Sequence, residues 1–323
     1  MINRGYFFKK IWIFFLIINL DIILFEIDKN ERFIFCHNCV GKKDWGPDCF
    51  NCSTDILFKS IRIMTIEQTL QEIINNKKSI ARYGDGEFRI IFGKSIKFQR
   101  FNQTLKEKLL NVLNSNFKNL LVGIVQLYNN TNPFWINFIE NNKFQLAKII
   151  NKHKIYSNSY ITRFYDPKGD KTRIKNYIIN FKKLWNNRNI LIIEGEKTRL
   201  GIGNDLFNNT KSIKRIICPE ENAFDSYGKI IEYIKSLKLD KNTLILISLG
   251  PTATVLTYDI FKLGNQIIDF GHFDIQYEYF LRNASKKIKI PNKYVMEVPG
   301  GSINITIIND QKYYEQIIHK IYR

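Results

Sequence analysis

Short apolar runs alternate with segments of helical periodicity along most of the chain. In the carboxyl half the apolar runs are residues 189–194, 213–218, 243–249 and 266–270, and the helical segments between them are 204–210, 221–237 and 252–264. Runs that are apolar throughout predict strands buried on both faces, and strands that alternate with helices are typical of parallel sheets. The pattern therefore predicts an α/β fold, in which helices cover both faces of a mostly parallel sheet.

The same alternation begins in the amino half at Thr65. It predicts helices at 65–78, 102–115 and 132–153, and strands at 79–83, 119–127 and 154–161. Thr65 and Pro133 are residues typical of helix starts. Because no such alternation precedes Thr65, we predict two regions, a small amino-terminal segment at 1–64 and a main domain at 65–323.

The amino-terminal segment contains an apolar run, residues 11–25, preceded by Lys9 and Lys10. The run is shorter than the roughly 20 residues that a membrane span needs. Asp21 lies inside it, where a charge costs about 2.5 to 3.5 kcal/mol on insertion. No small-residue cleavage site of a secretory signal peptide follows. We expect a buried segment or an interfacial helix that contacts the membrane with its basic flank.

Four cysteines follow with the spacing of a zinc site. Cys36, Cys39, Cys49 and Cys52 form two CxxC pairs that are joined by a turn-forming linker. Such pairs can present four thiolates tetrahedrally to a structural Zn²⁺. Two local disulfides, or no site, are the alternatives. Cys218 ends an apolar run and is expected to be a small buried residue.

The chain is strongly basic, with 49 Lys+Arg, 30 Asp+Glu and a net charge of +19. Such a charge attracts anionic partners, including nucleotides, nucleic acids and anionic lipids. The lysines are scattered, however, so a general enrichment in lysine is the simpler explanation. A zinc-containing nucleic-acid-binding protein is one alternative function, although the chain lacks the interleaved aromatic and basic residues of an RNA-binding module.

Polar residues of functional type gather in the loops that follow the predicted strands. Parallel sheets bind ligands beyond the carboxyl ends of their strands. In the carboxyl half these loops read "EGEKTRLGIGND", "PEENAFD", "GPTATV" and "GHFDIQYE". In the amino half, Asp85 and Glu87 flank Gly86 directly after a predicted strand. By spacing alone, this acidic pair is either a ligand site or the cap of a helix that begins near Glu87.

Taken together, these motifs resemble the GT-D-type glycosyltransferases. The matching segments are "RYGDGEF", "IIEGEKTRLGIGNDLF", "ICPEENAFDSY", "LGPTATVLTYD" and "DFGHFDIQYEYF", in that order, between about Thr65 and about Phe280. The four-cysteine segment lies outside the resemblance. The resemblance implies a Rossmann-like enzyme that transfers a hexose, typically glucose, from a UDP-sugar to a glycan or glycoprotein acceptor in cell-surface glycan synthesis.

The resemblance also implies a divalent metal, Mn²⁺ or Mg²⁺, at an Asp-X-Glu motif, here Asp85 and Glu87 around Gly86. Gly84 and Gly86 let the backbone turn tightly, so that both carboxylates can face a hard cation that also binds the diphosphate. His272 is a candidate third metal ligand. Outside this set of motifs, a lone histidine would more often be structural.

Other residues are candidates for binding the substrates. The helix start at Thr252 and Thr254 offers N–H groups and hydroxyls to a phosphate, and a simple N-cap is the alternative. The basic candidates for phosphate or sugar contacts are Arg82, Lys197 and Arg199, against the alternative of solvated side chains. Further candidate substrate contacts are Glu194, Asn204, Glu221 and Asn222.

Sugar transfer by inversion also needs a base for the acceptor hydroxyl. Asp274 is the first candidate, ahead of Glu194, and the alternative role for Asp274 is to bond its loop or orient His272. UDP-sugars are made in the cytoplasm, so we expect the enzyme there, at the inner face of the membrane. A nucleotide-binding regulator without catalysis is a further alternative, for which the acidic pair would be dispensable.

Overall fold

The computed structural model describes residues 48–303, 305 and 309–322, with side chains from Thr54 onward. The chain divides between Cys49 and Phe50, earlier than the predicted division at Thr65, and the unit described below is Phe50–Arg323. The four cysteine side chains of the predicted zinc site and residues 11–25 lie outside this description, so both predictions remain predictions. Within the described residues, no helix is long and apolar enough to cross a membrane.

The described residues form a sheet of nine strands, all of them parallel to their neighbours. The strands are β1 (Arg62–Ile63), β2 (Ser79–Arg82), β3 (Leu120–Ile124), β4 (Ile155–Asn158), β5 (Asn189–Gly195), β6 (Ser212–Cys218), β7 (Leu244–Ser248), β8 (Gln266–Asp269) and β9 (Ile317–Lys320). Their order across the sheet is β1-β4-β3-β2-β8-β7-β5-β6-β9.

Helices cover both faces of this sheet, as the apolar runs predict. The helices are α1 (Asp48–Ser60), α2 (Ile66–Asn75), α3 (Asp85–Ile91), α4 (Gln103–Asn114), α5 (Pro133–Ile149), α6 (Lys171–Lys182), α7 (Tyr227–Ser236), α8 (Pro251–Ile260), α9 (Phe273–Leu281) and α10 (Gln311–Gln316). Along β5, Ile190 and Ile192 pack in one core with Phe181 of α6. Leu191 and Ile193 point to the other face and pack in a core with Leu256 of α8.

One predicted helix is wrong. Residues 204–210 form turns between β5 and β6. Gly201 and Gly203 adopt left-handed backbone conformations, with φ of 74° and 77°. The Asn204 side chain accepts a hydrogen bond from the N–H of Leu206. Such local bonding of an asparagine competes with helix formation. The apolar residues Leu206 and Phe207 of this loop are buried although the loop is not helical.

Four helices of the structure were not predicted, namely α1, α6, α9 and α10. For α6 the sequence signal is present, because Asp170 caps the helix and Ile174, Ile178 and Phe181 follow at helical spacing. For α9 the signal is absent, since all residues from Phe273 to Tyr279 are buried. A helix without a solvent-exposed face lacks the usual amphipathic period, and here Asp274, Gln276 and Glu278 alternate with apolar residues instead.

The strand order places a crevice at the centre of the sheet. The strands β3 and β4, which follow β2 in the chain, lie on one side of β2. The later strands β8, β7, β5 and β6 lie on its other side. Such a reversal of direction leaves a crevice at the carboxyl ends of the central strands, where ligands bind in parallel α/β sheets. The predicted acidic pair follows β2, and His272 follows its neighbour β8. The fold therefore brings these two motifs to one place.

Candidate active site

A cavity of about 980 Å³ opens at the carboxyl ends of the central strands. The loops after β2, β3, β4, β7 and β8 contribute to its walls, together with a segment beyond α9, residues 286–297, which we call the distal wall. Among the predicted residues, Arg82, Asp85, Glu87, His272 and Asp274 line the cavity. The other predicted residues with described side chains are not among its lining residues.

Asp85 and Glu87 lie in the first turn of α3, which starts almost directly after β2. The Asp85 side chain is 41% exposed, and its Oδ2 lies 3.2 Å from Nε of Arg89. Glu87 is buried, and its Oε2 accepts a hydrogen bond of 2.6 Å from the N–H of Gly84. Both predicted roles are thus compatible with the backbone, because Glu87 caps the helix while Asp85 faces the cavity.

The electrostatic environment of Glu87 favours a nearby cation. Burial, together with the negative charges of Asp269 and Asp85, raises the pKa of the Glu87 carboxyl to about 7. A divalent cation beside this carboxylate would offset that repulsion, and carboxylate oxygens suit Mg²⁺ or Mn²⁺. Asp85 and Glu87 therefore fit a hard cation. The described residues contain no cluster of three or more side chains of the kinds that ligate metals.

The contacts of His272 differ from those expected of a metal ligand. Its Nδ1 lies 3.0 Å from Nη2 of Arg163. Because a guanidinium only donates hydrogen bonds, Nδ1 accepts and the proton of the neutral ring resides on Nε2. Burial, together with the positive charge of Arg163, lowers the pKa of His272 to about 3. In this arrangement His272 is a neutral hydrogen-bond donor, and metal ligation would require the ring to give up a bond or a proton.

The partners of His272 belong to a charged cluster that sequence reasoning missed. Glu297, on the distal wall, forms ion pairs with Arg163 and with Lys287, and its Oε1 lies 3.8 Å from Nε2 of His272. Burial raises the pKa of Glu297, but these neighbouring cations outweigh it and hold the pKa at about 2. Arg163 follows β4, so reading the loops after the strands in the amino half would have found it.

Arg82 connects three strands across the bottom of the cavity. Its Nη2 lies 2.9 Å from Oδ1 of Asp269, its Nε donates to the carbonyl of Asp269, and its Nη1 donates to the carbonyl of Ser159. Thr254 donates to the carbonyl of Arg82, at 2.9 Å, and its hydroxyl lies 3.2 Å from Oδ2 of Asp269. Arg82 and Thr254, both predicted to bind substrate, thus join β2, β4, β8 and α8 to one another.

The remaining basic candidates pair within the protein. Lys197 lies 2.7 Å from Oε1 of Glu220. Arg199 is buried, and its Nη1 donates to the carbonyl of Asn292. Thr252 is also buried, and its hydroxyl lies 3.5 Å from Oε1 of Gln99.

Asn222 and Glu221 form contacts near the rim of the site. Asn222 accepts a hydrogen bond from the N–H of Arg100 and donates its own N–H to Phe98, so it fastens the loop that precedes α4. The carboxylates of Glu221 and Glu220 lie near Tyr294, whose pKa is raised to about 12, chiefly by burial.

The two candidate bases differ in their access to the cavity. Glu194 is fully buried, with Oε1 at 2.5 Å from Arg215 and Oε2 accepting from the N–H of Leu200. Burial raises the pKa of Glu194 despite Arg215. Asp274 is equally buried, and its Oδ2 lies 2.6 Å from Nζ of Lys293. Of the two, only Asp274 is among the residues that line the cavity.

Asp274 belongs to a buried polar cluster that anchors the distal wall. Lys293 also lies 3.0 Å from Glu278, and Asn204 donates to both carboxylates, at 2.8 and 2.7 Å. Because Lys293 is part of the distal wall, its two ion pairs fix this wall to α9. The predicted residue Asn204 serves the same purpose from the loop after β5.

Comparisons with known proteins agree with this geometry. The model of the glycosyltransferase GT-D fold family matches residues 80–298, which include the acidic pair, His272 and Glu297. The chain belongs to the GT-D glycosyltransferase family. A solved structure described as a highly conserved domain of unknown function with a distinct glycosyltransferase fold is 34% identical, with a TM-score of 0.77, over 84% of this chain and 99% of that one.

Other GT-D relatives come from streptococci. A solved glycosyltransferase from Streptococcus sanguinis is 32% identical, with a TM-score of 0.75, over 81% of this chain and 100% of that one. The probable glycosyl transferase Gly of Streptococcus gordonii is 33% identical over 80% of this chain and 39% of its own length. The glycosyltransferase GlyD of Streptococcus pneumoniae serotype 4 is 32% identical over 81% of this chain and 33% of its own length. This GT-D chain therefore spans between a third and two fifths of these two longer relatives.

Proposed function

We propose that the chain is a metal-dependent glycosyltransferase that moves a hexose, most simply glucose, from a UDP-sugar to a glycan or glycoprotein acceptor. The observation that carries the proposal is the position of Asp85 and Glu87. They lie at the carboxyl end of the central strand β2, in the cavity of a GT-D family member. The cation that they would hold is Mn²⁺ or Mg²⁺.

The start of α8 is the proposed place for the diphosphate. A side-chain carbon added at Gly86 would lie 3.9 Å from Pro251, so the first turns of α3 and α8 adjoin. N–H groups at a helix start attract anions, and a cation held by the neighbouring carboxylates would neutralise the remaining charge. Arg163 and Lys287 add positive charge to the same cavity.

In the proposed reaction an acceptor hydroxyl oxygen forms a bond to the anomeric carbon of the hexose, and the bond from that carbon to the phosphate oxygen breaks. UDP departs with the electron pair of that bond, and Asp85 and Glu87 would hold a divalent cation that would stabilise the resulting charge. The acceptor proton needs a base. Asp274 is the candidate that lines the cavity, and taking the proton would require it to exchange one of its hydrogen bonds.

We expect Asp85→Asn and Glu87→Gln each to abolish metal-dependent UDP release and to leave the fold intact. Both changes keep the size of the side chain and remove the charge that would hold the cation. The loss of leaving-group stabilisation should lower the rate roughly a thousandfold or more. The measurement is UDP release from a panel of nucleotide sugars against Mn²⁺ concentration, alongside thermal melts.

A matched control is Asp225→Asn, which removes a carboxylate that pairs with Arg100 outside the cavity lining. This variant should release UDP like the unmodified protein. Near-normal rates in Asp85→Asn at ordinary Mn²⁺ would contradict the metal role, because the charge that Asp85 offers to the cation would then be dispensable. Absence of UDP release from every nucleotide sugar would contradict the proposed donor.

We also propose that the reaction takes place in the cytoplasm, where UDP-sugars are made. Contact with the inner face of the membrane through residues 11–25 is part of this proposal.

A further inference from the structure

One wall of the cavity carries an aromatic ring that has no part in the chemistry above. Phe134, in the first turn of α5, is 50% exposed and lines the cavity together with Trp135. Its ring meets Trp135 edge-on, with centroids 5.6 Å apart, and lies nearly parallel to Phe138 at 6.3 Å. Trp135 and Phe138 are both buried. We call these three rings the Phe134 platform, because two buried rings fix the position of the third.

The platform lies close to the acidic pair. The guanidinium carbon of Arg89 sits 5.4 Å from the centre of the Phe138 ring, and Nε of Arg89 lies 3.2 Å from Oδ2 of Asp85. One ring and one guanidinium therefore separate Phe134 from Asp85. The start of α8 also adjoins this turn, since a carbon added at Gly86 would lie 3.9 Å from Pro251. The candidate metal position thus lies near both a helix start suited to phosphate and an uncharged ring.

We propose that the Phe134 platform binds a pyranose ring of the acceptor glycan. The inference rests on the proposed function, because it takes the reacting carbon to lie at Asp85. A pyranose has a face of C–H groups and an edge of hydroxyls, so it can stack on an aromatic ring while its hydroxyls meet polar groups. Asn132 and Tyr160 line the same cavity, and because the Oδ1 atom of Asn132 accepts from the N–H groups of Phe134 and Trp135, its amide N–H groups are the ones that a sugar hydroxyl could meet. A phosphate would gain nothing from an uncharged ring.

The opposite wall is the better place for the nucleoside. Thr198, Glu220 and Tyr294 line the cavity there, beside the end of β5 at Gly195. Their hydroxyl and carboxylate groups match the hydrogen-bonding edges of a ribose and a base. A donor lying across the start of α8 toward this wall would leave the platform open. The half-exposed position of Phe134 also admits a growing glycan, which is too large to be enclosed.

The test compares three variants on the same helix. Phe134→Ala removes the platform ring, and Phe134→Trp retains an aromatic surface. Phe144→Ala is the matched control, because Phe144 is also 50% exposed on α5 but is not a cavity-lining residue. The probes are methyl β-glucoside, methyl β-galactoside and methyl N-acetyl-β-glucosaminide, followed by saturation-transfer NMR. UDP binding in the presence of Mn²⁺, measured by calorimetry, is the second readout.

We expect at least one glycoside to bind the unmodified protein through the C–H groups of one ring face. Phe134→Ala should weaken this binding roughly five- to tenfold, whereas Phe134→Trp and Phe144→Ala should retain it. The affinity for UDP should be the same in all four proteins.

Three outcomes would overturn the inference. The glycosides bind none of the four proteins, or they bind Phe134→Ala as well as the control, or Phe134→Ala loses UDP affinity, which would assign the platform to the nucleobase. Failure of the proposed function looks different, since the unmodified protein would then bind no UDP and release none. A loss of glycoside binding confined to Phe134→Ala would support the platform even in that case.

Discussion

At the scale of single residues, several predicted substrate contacts serve to join the parts of the fold. Glu194 pairs with Arg215, Arg82 with Asp269, and Lys197 with Glu220. The reason is physical, because a charge that leaves water must be paired and hydrogen-bonded to offset its desolvation. A polar residue at the end of a buried strand can therefore be a ligand contact or half of an internal pair.

Glu194 offers a clear test of this distinction. We expect Glu194→Gln to lower the free energy of unfolding by about 3 kcal/mol, because it leaves the buried charge of Arg215 without its carboxylate partner. The measurement is urea unfolding. The control is Glu67→Gln, which breaks the exposed pair with Arg173 and should cost no more than about 1 kcal/mol.

The activity of the same variant separates the two roles. If Glu194 is structural, the folded fraction of Glu194→Gln should release UDP at a near-normal rate. A variant that keeps its full stability and loses transfer would contradict this view and restore Glu194 as the candidate base.

At the scale of elements, the turns between strands and helices decide how the cavity is built. Gly271 connects β8 to α9 with φ of 48°, a left-handed conformation, and an added side-chain carbon would clash with Nη2 of Arg82. The turn thus passes directly over the guanidinium that joins β2 to β8. Glycine is required here both for its conformation and for the space that it leaves.

We expect Gly271→Ala to destabilise the protein more than a left-handed conformation alone explains. That conformation costs roughly 1 to 2 kcal/mol for alanine, and displacing Arg82 from Asp269 should add about 3 kcal/mol. Gly93→Ala is the control, since Gly93 has φ of 81° with no atom within 4 Å of an added carbon. Urea unfolding of both variants measures the difference.

UDP release should fall in Gly271→Ala as well, because Arg82 and Asp269 line the cavity. Equal stabilities for the Gly271→Ala and Gly93→Ala variants would mean that the turn can move away from Arg82 at little cost.

At the scale of the whole molecule, the segment before Thr65 contributes to the core of the main unit. Phe58 of α1 and Ile61 are 2% and 5% exposed and pack in the same apolar cluster as residues of α4 and α5. Strand β1 pairs with β4 at the edge of the sheet. Residues that the sequence pattern assigns to a separate segment therefore complete the fold.

A chain that begins at Asp48 should accordingly be more stable than one that begins at Thr65. Removing Phe58 and Ile61 exposes apolar surface and leaves a cavity, which should cost at least about 3 kcal/mol. Urea unfolding of the two chains measures the difference, and Phe58→Ala in the longer chain isolates the contribution of one side chain. Equal stabilities would support an independent domain that starts at Thr65.

The sequence by itself determined the class of fold and the location of the site. Short continuous apolar runs indicate strands buried on both faces, and their alternation with helices is typical of a parallel sheet. Because all carboxyl ends of such a sheet lie on one side, the loops after β2 and β8 had to share it. Asp85, Glu87 and His272 consequently line one cavity.

Only the tertiary structure decided which polar residues face that cavity. The partners lie far apart in sequence, since Arg82 and Asp269 are 187 positions apart and Arg163 and Glu297 are 134 positions apart. No local pattern reports such pairs, because pairing depends on how strands and loops meet in space. For the same reason α9, buried on all sides, has no amphipathic period, and the exposure of Phe134 follows from the packing of α5. Local periodicity records what faces the core, whereas the site depends on contacts between distant segments.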